Sequence, residues 1–353
     1  MTPLAYPGHI FAPLFSDPEI EALWSRDRFL AEFLNFEIAL AGALAEAGVV
    51  PPATAETAVA RMATFVADPE RIAASVPVDG VPVPDFVRQL KAHVGDEGLP
   101  AVHRGATSQD LVDTAIVRIL RDANALLDAR LGALDEGFTS LDARFGDAPM
   151  MGRTRMQAAL PIRVSDRLAG WRLSLAEERA GLGALRTRIE ILQFGGPVGN
   201  RAALAPHGDA VADALARRLD LGNPPRAWHA ARGSLAEYAG WLSRVTATLG
   251  KFGQDIGMMA QQGVNEVAIA GGGGSSAMPH KQNPVRAELL VTLARHNAVL
   301  LPGMHQAMLH EQERSGAAWT LEWMILPAMV MTTGRALLTA AELQGQITRL
   351  GAV

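Results

Sequence analysis

The stretch SLAEYAGWLSRVTATLGKFGQDIGMMAQQ, Ser234–Gln262, decides the fold class. Its large apolar residues fall at Leu242, Val245, Leu249, Phe252, Ile256 and Met259, at intervals of three and four. Those intervals keep every one of them on a single helical face, the pattern of a bundle seam. A helix with such a stripe must bury it against other helices, and the chain supplies them on both sides. One runs from Ser108 towards Phe145. Another opens at Pro161, a residue suited to a first helical position, and continues through Val164, Leu168, Trp171 and Leu175 to about Leu192. A further helix starts at Pro284 and runs to about Leu301. The last covers Ala317 to about Leu350, with a kink at Pro327.

Before residue 96 the periodic segments are shorter: Asp17 to Gly48, Pro52 to Ala67 and Asp85 to His93. The link through Val76–Pro84 carries a proline every few residues and excludes a paired central strand. The reading is an all-α protein with an N-terminal helical domain over 1–95 and a central long-helix bundle over 96–353. Met and Trp on the stripes are read as core.

Composition limits the function. Of 353 residues, 49% are apolar and 20% charged, a globular balance. A net charge of −5, without a basic run, argues against nucleic acid. Cysteine is absent, which removes disulfides and thiolate metal sites and fits a cytoplasmic protein. The start, MTPLAYPGHIFAPLF, lacks the pattern of a signal peptide. No uninterrupted apolar run of about 18 residues suggests a membrane span. No histidine spacing makes a convincing metal site, and no glycine fingerprint follows a strand, so neither metal nor cofactor is expected.

The stretch Gly271-Gly-Gly-Gly-Ser-Ser-Ala-Met-Pro-His-Lys-Gln-Asn-Pro-Val285 carries the chemistry. Its bland reading is a flexible connection into a helix capped by Asn283, with Pro284 in the first turn. Its chemical reading uses the same residues. Four glycines allow a mobile lid. A helix N-terminus with Lys281 and Asn283 suits a carboxylate or phosphate. Ser275 and Ser276 stand at the lip, where a serine works as a base only if donors stabilise its alkoxide. Lysine is rare here: Lys91, Lys251 and Lys281 are the only three among 32 basic residues.

Two other helix entrances are rich in donors. His103-Arg-Gly-Ala-Thr-Ser-Gln-Asp110 places Thr107 and Asp110 at capping-box spacing. Gly152-Arg-Thr-Arg-Met-Gln-Ala-Ala-Leu-Pro161 brings two arginines and a glutamine to the next helix. A plain cap and a solvated turn are the alternatives.

Gly274-Ser-Ser-Ala-Met-Pro-His-Lys-Gln-Asn-Pro284 resembles the signature loop of the fumarase/aspartase superfamily. His103–Asp110 resembles the first shared region of that family and Gly152–Pro161 the second, in family order. The resemblance covers most of the chain. It implies a helical homotetramer with a central bundle, in which each site collects three regions from three subunits. It also implies proton transfer at a carbon α to a carboxylate, with Ser275 matching the serine base and Ser276 and His103 as further proton donors. Within the superfamily, Leu14-Phe-Ser-Asp-Pro18, Gln193-Phe-Gly-Gly196 and Glu311-Gln-Glu-Arg314, with Trp319 and Glu322-Trp323, are similar to the lactonising cycloisomerases. Adenylosuccinate-type lyases share several of them in modified form.

The implied partner is a small tricarboxylate. Its expected contacts are Lys281, Asn283, Thr107, Ser108, Gln109, Arg153, Thr154, Arg155, Gln157 and Arg314. Many relatives read Arg-Thr-His in the second region, the histidine pairing with a glutamate past the signature lysine. Here the triplet is Arg153-Thr154-Arg155 and the glutamate is Glu288, so an Arg155–Glu288 ion pair is expected. Relatives also commonly carry a further small C-terminal domain, which this chain is read as lacking.

Overall fold

The protein is described here by a computed structural model, over residues 10–274, 278 and 281–352. Short helices come first: α1 (Ala12–Phe15), α2 (Pro18–Leu23), α3 (Arg26–Glu46), α4 (Pro52–Met62), α5 (Pro69–Asp79) and α6 (Val83–Val94). Their starts are chemically marked. Asp17, Ser25 and Asp68 each accept a backbone N–H in the first turn of α2, α3 and α5. Helix α3 buries Phe33, Phe36, Leu40 and Leu44 together with two carboxylates, Glu32 and Glu37.

Then follow α7 (Ser108–Phe145), a hairpin of β1 (Pro149–Thr154) and β2 (Gln157–Arg163), α8 (Val164–Ile189), α9 (Gly208–Leu219) and α10 (Gly233–Met259). After the strands β3 (Val267–Ile269), β4 (Gly273–Gly274) and β5 (Gln282–Asn283) come α11 (Val285–Gln306), α12 (Ala317–Gln346) and β6 (Ile347–Leu350).

Side-chain pairs fix the helix directions. Arg172 on α8 bonds Asp135 on α7 and Arg179 bonds Asp128, so the two helices are antiparallel. Trp319 on α12 donates to Asp113 on α7 at 2.8 Å, and Gln344 donates to the Leu134 carbonyl at 3.0 Å. Helix α12 therefore runs with α7. So does α10, which begins beside Asp113 through Arg232. Helix α11 runs back along α12, with Asn297 near Met329 and Arg286 near Glu342. The bundle thus has an upper end, where α7, α10 and α12 begin, and a lower end, where they finish. With 38 residues, α7 is about 57 Å long at 1.5 Å per residue. The seam of α10 is buried as its spacing requires, and Phe138, Trp171 and Phe252 meet at ring-centroid distances of 5.9, 5.1 and 4.9 Å. Helix α12 is long and apolar enough to cross a membrane by composition, but 72% of its most apolar window is buried in the protein.

Three expectations need correction. Pro161 does not open a helix: it lies in β2 opposite Met151, and α8 starts at Val164, where Asp166 accepts the Arg163 N–H. The hairpin turns on Arg155 (φ 47°) and Met156 (φ 67°), the two positive angles of a type I′ turn, without the Asn-Gly that usually signals one. Proline is tolerated there because a two-stranded ribbon leaves half its N–H groups unpaired. Second, an unexpected helix, α5, runs into the proline-rich link, with Pro77 in its last turn and Gly80 in the left-handed region ending it. Third, Asn283 caps nothing. It pairs with Gly273, and α11 begins at Val285 after Pro284, without a side-chain cap. The fold is predominantly helical rather than strictly all-α, because two-stranded ladders join the helices at the lower end.

Candidate active site

The first donor-rich region sits at the upper end. Asp110, fully buried in the first turn of α7, accepts four hydrogen bonds: from the N–H groups of Thr107 (3.0 Å), Gly195 (3.0 Å) and Gly196 (2.9 Å), and from His229 Nε2 at 2.8 Å. Both oxygens are committed to donors, so an asparagine would turn its NH₂ against two of them. Gly105 and Gly196 have positive φ, and a Cβ on Gly196 would lie 2.8 Å from the Gly105 carbonyl. The two loops touch backbone to backbone.

One turn deeper, Asp113 and Glu322 share Arg232. Arg232 Nη1 donates to Asp113 Oδ2 at 2.7 Å and Nε to Glu322 Oε1 at 2.8 Å. Gln193 and Trp319 also donate to Asp113. Burial alone would raise the Asp113 pKa. The Arg232 charge and these hydrogen bonds outweigh it and hold the carboxyl below its usual value. Burial likewise works against the Arg232 charge, but the two carboxylates hold that guanidinium above its ordinary value.

Over this base stand the exposed groups. Arg314 donates to Thr107 Oγ1 at 2.8 Å. His103 takes φ 56° and leans on the buried Glu37, its backbone N–H donating at 2.8 Å and its Nδ1 lying 2.7 Å away. Ser108 is half-buried at the helix start. Gln109 is fully buried and its amide donates to Asp113 and the His229 carbonyl. Its amide nitrogen is thereby committed to the base, while its Oε1 has no hydrogen-bond partner among the described residues.

The other two regions lie at the lower end. Arg153 pairs with buried Glu266, whose own backbone is tied to Met259 and Gly351. Thr154, Arg155 and Gln157 form the exposed hairpin tip. Arg155 makes no ion pair among the described residues, so the expected bond to Glu288 is not formed within this chain. Glu288 instead lines a polar cavity of about 650 Å³ with Lys281, Asn283, Gln261 and Gln262. The β4–β5 pairing closes the stem of the signature loop beside it. Ser275 and Ser276 lie outside the described residues.

Helix α7 separates these groups. His103, Thr107 and Arg314 are at its start, while the hairpin follows its end. One copy of the chain therefore does not bring the three regions together. A second cavity, of about 420 Å³, is lined by Trp24, Phe29, Phe33 and Trp323 with the carboxylates Glu21 and Glu322. It offers a polycarboxylate no cation, so the polar cavity is the better candidate.

Sequence reading missed Glu37, His229 and Arg232. Glu37 had a signal: it falls between Phe33 and Leu40 on the buried face of α3, where an acid needs a partner. Nothing local marks Arg232, whose partners lie 119 and 90 residues away.

The parallel and antiparallel long helices and the three loop regions define a lyase of the helical-bundle type. A lyase family model matches residues 18–298, and the chain belongs to that family, the fumarase/aspartase superfamily. It is 39% identical over 336 residues to 3-carboxy-cis,cis-muconate cycloisomerase of Pseudomonas aeruginosa, covering 94% of this chain and 73% of that one. The crystal structure of the 3-carboxy-cis,cis-muconate lactonizing enzyme from Pseudomonas putida superposes with a TM-score of 0.87 at 36% identity, over 96% of this chain and 77% of that one. A nitrosuccinate lyase of Streptomyces davaonensis is 35% identical over 357 residues, covering 96% of this chain and 74% of that one. The chain thus spans about three quarters of the length of these relatives.

Proposed function

We propose that the protein is a cycloisomerase that closes 3-carboxy-cis,cis-muconate to a carboxymuconolactone, a step of aromatic-acid breakdown. The observation that carries this is Arg155, exposed at the hairpin tip and without an ion pair among the described residues. An arginine stays protonated and cannot relay protons at neutral pH. Eliminating an amine or hydroxide needs a general acid at that place. Lactonisation does not, because its leaving group in reverse is a carboxylate. A carboxylate oxygen of the substrate bonds to a double-bond carbon, the displaced electron pair moves into the neighbouring carboxyl as an aci-carboxylate, and one proton is delivered to the carbon α to it. Ser275 is the proposed donor, with Ser276 beside it, and Lys281, Arg155 and Arg314 neutralise the carboxylates. Loss of the diene ultraviolet absorbance on adding the protein tests this, and persistent absorbance at ample enzyme rejects it. Release of the nitro group from nitrosuccinate, or of fumarate from adenylosuccinate, would point instead to an eliminating lyase.

The site is proposed to form in a homotetramer, each copy lending a different region, which fits their placement at opposite ends of α7. Ser275→Ala and Arg314→Ala chains, each inactive alone, should regain about a quarter of wild-type activity when co-assembled at equal amounts, since random pairing leaves that share of sites intact. No recovery in a mixed assembly would show that one copy supplies both residues.

A further inference from the structure

We propose that Glu37 is a positioning residue that sets the tautomer of His103, leaving Nε2 as the nitrogen that takes a proton from solvent and returns it to the reacting hydroxyl after that hydroxyl has given its own to carbon. The inference rests on the cycloisomerase reading for its catalytic part and on geometry for the rest. Glu37 has no exposed side-chain surface, while that of His103 keeps 16%. Both carboxylate oxygens face the same residue: Oε2 accepts the His103 backbone N–H at 2.8 Å and Oε1 lies 2.7 Å from Nδ1. An ionised carboxylate only accepts, so the imidazole must carry its hydrogen on Nδ1. That leaves Nε2, which has no hydrogen-bond partner among the described residues, to take or give a proton.

The backbone strengthens the case. His103 holds φ 56°, a left-handed conformation that costs a non-glycine residue energy and persists where surroundings enforce it. The bond from its N–H to Glu37 is such a constraint. The same residue therefore fixes both the angle of the chain and the identity of the free nitrogen. Beside it, Arg314 on Thr107 Oγ1 supplies a cation to the same helix entrance. With Arg155 where a histidine would shuttle protons, His103 on Glu37 is a histidine–carboxylate pair that keeps a solvent-facing edge, whereas His229 on Asp110 is buried.

Glu37→Gln separates tautomer control from simple packing. Its amide has one acceptor oxygen, which the fixed backbone N–H requires. The NH₂ must then face Nδ1, which becomes the acceptor, and the ring hydrogen moves to Nε2. Nitrogen-15 spectra of histidine-labelled protein, with the His103 signals identified by their loss in His103→Gln, read this directly. The expected result is an Nδ1–H ring in the wild type and an Nε2–H ring in the variant, with kcat lower by about 100-fold and KM changed much less. A wild-type ring protonated on Nε2 alone overturns the proposal even if the variant fails to fold, and so does a variant with unchanged tautomer and unchanged kcat. If the wild type turns over no muconate, the functional reading fails while the spectra still decide the tautomer.

Discussion

Ser275→Ala should lower lactonisation by roughly two to four decades while substrate binding is largely kept. The hydroxyl is asked to protonate a carbon, a step with a high barrier unless the negative charge on that carbon spreads into a carboxyl held by cations. Alanine removes the proton and leaves Lys281, Arg155 and Arg314 to hold the ground state, so the loss should fall on kcat. Kinetics on the purified variant, with calorimetric binding of a non-reacting tricarboxylate, separate the two quantities. Turnover that survives would pass the role to Ser276 or His103, and lost binding with unchanged kcat would make the serine a contact.

Arg232→Ala should destabilise the chain by about 3–5 kcal/mol, because it strands two buried carboxylates, Asp113 and Glu322, without their shared cation. Its pH dependence has a definite sign. In the wild type the Asp113 pKa is depressed, so its contribution is present above the usual carboxylate value and is lost only as pH falls through the lower folded value. Without Arg232, burial dominates at Asp113 and drives its pKa up, which favours the protonated form. The variant's deficit should therefore be greatest at neutral pH and shrink as the solution is acidified. Urea unfolding of both proteins at neutral and mildly acid pH measures it. A deficit that is flat with pH, or under 1 kcal/mol, would show that the cluster relaxes or admits water.

The long helices were legible because a seam such as Leu242 to Met259 repeats locally, and one periodic signal spans many residues. The hairpin was not, since Arg155-Met156 is an uncommon pair for its turn and Gly152 and Pro161 read equally well as a loop leading to a helix. At the site, Thr107, Arg314 and Lys281 could be picked out as donors near helix starts. What each donor touches could not. Arg153 is spent on Glu266, Gln109 on Asp113, and the Arg155–Glu288 pair is not made within the chain. Arg153 and Gln109 are committed by partners 113 and 120 residues away, Glu266 and the His229 carbonyl, which no local pattern encodes.

The turn at Arg155 sets two demands on one position. A left-handed backbone is easiest for glycine, which would relieve about 1 kcal/mol or more at φ 47°, whereas the proposed substrate contact asks for a guanidinium. Selection for robustness alone would drift towards glycine there, and heat-resistant but sluggish variants should be recovered at this codon. On the proposed function, the arginine at this position spends folding stability on a contact with the substrate.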